Sequence, residues 1–79
     1  MMSKEDMVEE LLAINDDSHR RMKEALLLLK ETDDLELIYE KLGEHGPVIK
    51  QNNIRHKGLI REIFYMIKKG QGVNRENDQ

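Results

Sequence analysis

Leu42-Gly43-Glu44-His45-Gly46-Pro47 is the stretch that decides how many helices this chain forms. Glycine adopts the left-handed conformation that ends helices at little cost, so Gly43 reads as a helix C-terminus. Proline lacks the N–H that is unpaired in a first helical turn, so Pro47 reads as a helix start. Glu44-His45-Gly46 then connects two helices. Upstream, Leu35, Ile38, Tyr39 and Leu42 form one apolar face of a short helix, and Thr32-Asp33-Asp34 makes the turn and cap before it. Downstream, Ile49, Asn53, His56, Ile60, Ile63 and Ile67 alternate in steps of four and three. Leu59, Phe64 and Met66 broaden that stripe, and the helix is predicted over 47–69. Lys68 and Lys69 suit its negative end, and Gly70-Gln71-Gly72 stops it.

The N-terminal part reads as one long helix over 4–31. Ser3 with Asp6 resembles a cap with an acidic third position. Met7, Leu11, Ile14, Met22, Ala25 and Leu29 make its apolar stripe, with Ser18 at the missing step. Asn15-Asp16-Asp17-Ser18 prefers caps to helix interiors, so a break there is the alternative. The expected fold is therefore all-α: a long helix, a short helix and a long helix in one domain over 1–72, followed by a disordered polar tail over 73–79.

The composition agrees with that class. Of 79 residues, 37% are charged and 4% aromatic, with one proline. There are no cysteines, which removes disulfides and thiolate metal sites. No apolar run approaches the ~18 residues a membrane span needs, and the N-terminus has no apolar signal core. The expectation is a cytoplasmic protein without a membrane segment. The net charge is −3 but uneven. Residues 1–43 carry 12 acidic and 6 basic side chains, and residues 44–79 carry 4 acidic and 7 basic. Oppositely charged halves can attract each other within a bundle or between subunits.

Helices this unequal would leave part of the long helices' stripes uncovered in a monomer. Residues 59–67, Leu-Ile-Arg-Glu-Ile-Phe-Tyr-Met-Ile, are apolar over most of the circumference, and such a helix needs contacts on more than one side. Self-association into a helical-bundle homodimer is the expectation, with Leu59, Ile60, Ile63, Phe64 and Ile67 as the self-interface. A folded-back monomer is the alternative. Polar residues within both stripes, Asn15 and Ser18 in one, Asn53 and His56 in the other, either set register or lie solvated at the edge.

Catalytic chemistry has no support in these residues. His19, His45 and His56 form no metal-ligand spacing. Glu9-Glu10, Asp16-Asp17 and Asp33-Asp34 are tied to no nucleophile, and no glycine-rich phosphate loop exists. No enzyme activity, metal or cofactor is expected. The favoured function is a protein–protein interaction module, a regulatory adaptor or inhibitor docking through helix faces. Glu9, Glu10 and Asp17 are the candidates for contact with a protein partner. The alternative is a DNA-binding transcriptional regulator, with a helix-turn-helix in residues 47–69 turning at Gly58. Lys50, Arg55, Lys57 and Arg61 would then contact phosphates.

Overall fold

A computed structural model describes residues 2–78, with side chains through residue 70. Two helices, α1 (Lys4–Glu31) and α2 (Leu35–Asp78), fold as an antiparallel hairpin. It measures 64 × 21 × 17 Å, and at 1.5 Å per residue α2 accounts for the long dimension.

Local chemistry sets the ends. The Ser3 hydroxyl accepts from the Asp6 N–H at 3.1 Å, and Glu5 and Asp6 lie in the first turn, where the helix dipole favours negative charge. At the far end the Thr32 N–H reaches the Leu28 carbonyl at 3.0 Å. The Thr32 hydroxyl accepts from the Asp34 N–H, and the Asp34 carboxylate accepts from the N–H groups of Glu36 and Leu37. Thr32-Asp33-Asp34 is thus both turn and cap.

Two helices, not three, is a correction to the sequence reading. Gly43, Gly46 and Pro47 lie inside α2, and no glycine among the described residues has a positive φ. Proline in a helix interior removes one backbone hydrogen bond, here the one to the Gly43 carbonyl, and costs about 3 kcal/mol. Gly46 lowers that cost, because the clash of a proline ring with the preceding Cβ does not arise at glycine. What offsets the rest is packing: only a continuous helix keeps Ile38, His45, Asn52 and Leu59 on one line against α1. The same continuity overturns the helix-turn-helix, because residues 47–69 lie in one helix that passes through Gly58 without a turn. α1 likewise runs through Asn15–Ser18 unbroken. The tail expected at 73–79 lies outside the described side chains.

The core is small. Met7, Leu59 and Ile63 form its centre, with Met2, Leu11 and Ile14 packed against it, and Ile38 is buried nearer the turn. Leu59 has no exposed surface at all.

Candidate functional site: an uncovered helical face

Along α1 the residues turned toward α2 are Met7, Leu11, Ile14, Ser18, Arg21, Ala25 and Leu28, all buried or half-buried, in alternating steps of four and three. Along α2 the matching residues are Ile38, His45, Asn52 and Leu59, spaced by seven, with Lys41, Val48 and Ile63 between or beyond. This is the seam of a coiled-coil-like pair.

Each helix carries a second seam, the first advanced by one residue. On α1 it reads Val8, Leu12, Asn15, His19, Met22, Leu26 and Leu29, every one exposed. On α2 it reads Leu35, Tyr39, Leu42, Gly46, Ile49, Asn53, His56 and Ile60, extended by Phe64 and Ile67. Of these only Ile49 and Ile60 are half-buried. Leu26 is 67% exposed and Tyr39 72%. One residue is about 100° of helix rotation. Because the helices are antiparallel, the same advance carries both second seams to the same side of the hairpin. The opposite side carries a Glu10–Arg55 bridge, in which Arg55 Nη2 lies 3.1 Å from Glu10 Oε1, and exposes Leu27, Ile54 and Tyr65 singly rather than as a continuous seam. Arg55 holds the Glu10 carboxyl below its usual range through that hydrogen bond. The result is a two-helix face, apolar at both ends, with Asn15, His19, Asn53 and His56 as a polar belt across its middle.

Between the helices lies a polar layer. Asn52 Nδ2 donates to Asp17 Oδ2 at 2.9 Å and to Ser18 Oγ at 3.0 Å. Arg21 Nε donates to Asp17 Oδ2 at 2.9 Å, and Arg20 pairs with Asp17 and Glu24. The Asn52 hydrogen bond, then that of Arg21, holds the Asp17 carboxyl down at about 2. Arg21 Nη1 also reaches His45 Nδ1 at 3.2 Å. An arginine can only donate, so Nδ1 accepts and Nε2 carries the hydrogen toward Glu24 Oε2 at 3.2 Å. Among the described residues no buried side-chain polar atom lacks a partner, so this layer is complete within the hairpin and has no orphan group aimed at a ligand. Nor, among the described residues, do three His, Asp or Glu side chains cluster as a metal site. No described helix is long and apolar enough to cross a membrane. A shallow groove between Met7 and Tyr65-Met66 lies beside the start of α1 and is open to solvent.

No protein-family model, curated protein or solved structure matches this chain. The site is therefore read from its geometry.

That geometry divides the expected self-interface. Leu59 and Ile63 are turned into the hairpin core, while Ile60, Phe64 and Ile67 stay on the uncovered face. The expected partner-binding carboxylates separate as well. Glu10 is held by Arg55 and Asp17 by Asn52 and Arg21, whereas Glu9 is exposed at the rim of the uncovered face. Of the basic residues, Arg55 is held in its bridge, Lys50 and Lys57 stand exposed along the rim on α2, and Arg61 lines the groove beside Met7. The sequence reading missed Arg21, His45 and Asn52. The signal for them was the four–three series through Ser18, which continues to Arg21 rather than Met22.

Proposed function

We propose that this chain is a small protein–protein interaction module that self-associates into a helical-bundle homodimer and binds a protein partner through helix faces, as a cytoplasmic regulatory adaptor or inhibitor. One observation carries the reading: a two-helix face with apolar residues at four–three spacing is left uncovered along the length of the hairpin. Exposed apolar patches of this extent, rimmed by polar residues, mark association sites. The spacing is the one by which helices dock helices.

The test is retention of binding proteins from the native host by the wild-type chain and by a Leu12→Glu, Tyr39→Glu variant. Both side chains are more than half exposed, so the hairpin itself loses little buried surface. Proteins held by the wild type should be lost from the variant, whether they dock on this face directly or on the dimer it forms. Equal retention would refute docking through this face.

A further inference from the structure

Resting on that reading, we infer that the uncovered face is closed by a second copy of this chain in one particular arrangement. The two-fold axis runs parallel to the helices, so that α1 of each copy lies over α2 of the other. The product is a four-helix bundle whose neighbouring helices are all antiparallel.

Charge at the rims selects this arrangement. The outer rim of the face on α1 carries Glu5, Glu9 and Asp16; the outer rim on α2 carries Lys50 and Lys57. All five are exposed, and none is in an ion pair among the described residues. The cross-helix contacts Glu10–Arg55, Ser18–Asn52 and Glu24–His45 set a register in which paired residue numbers add to 65–70. Glu9 and Asp16 therefore stand at the heights of Lys57 and Lys50, to within about two residues or 3 Å. Within one hairpin these rims lie on opposite edges and cannot meet. A two-fold axis along the helices exchanges the edges and keeps the heights, which brings Glu9 against Lys57 of the partner subunit at both edges of the dimer. Turning the second copy end over end would instead stack α2 on α2, with Lys50 nearest its own counterpart.

The polar belt points the same way. Asn15 and Asn53 share a height in this register. An axis along the helices therefore sets Asn15 against the partner subunit's Asn53 without any adjustment, with His19 and the partner subunit's His56 one turn to either side. Unlike a second copy, a uniformly apolar surface would leave the belt unpaired at a cost. The hairpin exposes more surface than a globular chain of its mass. The chain exposes 6641 Å², against about 5,000 Å² for a globular monomer of its mass. A standard interface removes about 800 Å² from each partner.

Sedimentation equilibrium of the full chain at micromolar concentration, with helicity followed by circular dichroism, tests this. The wild type should sediment at twice the 9.3 kDa chain mass, and Leu26→Glu should abolish the dimer. Glu9→Lys or Lys57→Glu alone should weaken it roughly tenfold, and the two together should return it to within about threefold of wild type. A monomeric wild type would overturn the inference, leaving the face to a different protein and the retention experiment to judge the broader reading. A dimer indifferent to Leu26→Glu would overturn both. Failure of the charge exchange to restore a dimer that Leu26→Glu abolishes would overturn the placing of α1 over α2.

Discussion

Replacing Gly43 by alanine should stabilise the protein, and the reason bears on the whole fold. In a turn that ends a helix, Gly43 would take the left-handed conformation, where an added Cβ costs roughly 1–2 kcal/mol. Within α2 its φ is negative, and a Cβ built there meets nothing within 4 Å. The substitution then recovers the ordinary helix penalty of glycine against alanine, about 1 kcal/mol. For a domain of this size that corresponds to a rise in Tm of about 4–8 °C. Gly46 is a poorer probe, because a Cβ before Pro47 disfavours the helix. Gly58 has the same open surroundings as Gly43 and tests the other proposed turn. Thermal unfolding followed by circular dichroism is the assay, at matched concentration because association shifts apparent stability. A fall in Tm for Gly43→Ala would refute a continuous α2. A fall for Gly58→Ala would restore the helix-turn-helix.

Leu59→Ala, at the one fully buried large side chain among the described residues, should cost about 2–5 kcal/mol. In so small a core that should leave the protein largely unfolded by circular dichroism. Asp17 should titrate near 2, well below the ordinary aspartate range, in a carbon-detected NMR titration. Its folded pKa is depressed, so its contribution to stability is present above about pH 4 and is lost as pH falls toward 2. Melting temperature should therefore decline over that interval. Asn52→Ala removes the donor to both Asp17 and Ser18. It should destabilise by about 1–3 kcal/mol and bring the Asp17 titration back toward the ordinary range; an unmoved titration would show that Asn52 does not hold that carboxylate.

Where local chemistry and helical periodicity agreed, the residues could be read directly. Ser3 caps α1, Glu31 ends it, and Thr32 to Asp34 turn the chain as their side chains suggest. The disagreement came at 42–47, where glycine and proline argue for a break but the periodicity does not. Leu35, Tyr39, Leu42, Gly46, Ile49, Asn53, His56 and Ile60 alternate four and three without a change of phase across Pro47. Two independent helices would meet in that phase only by coincidence, so periodicity was the better guide there. Asn15–Ser18 shows the same outcome by other means. Residues that favour caps in isolation stay helical because Asp17 and Ser18 find partners in Arg20, Arg21 and Asn52. Those partners are 34 or 35 residues away in the case of Asn52, beyond any local signal. The apolar excess at 59–67 was visible, but its division was not. Which of Leu59, Ile60, Ile63, Phe64 and Ile67 turn inward depends on where α1 lies.

A single distance tests the hairpin most directly. The chain has no cysteines, so spin labels at Glu36→Cys and Lys57→Cys are unique, and dilution with unlabelled chain isolates the distance within one molecule. The two positions are 21 residues apart on α2, which puts their backbones about 32 Å apart in one continuous helix. A double electron–electron resonance peak near that value, broadened by the label arms, is the predicted result. A distance below about 20 Å would mean that the chain folds back between Gly43 and Pro47, and would contradict both the hairpin and the uncovered face built on it.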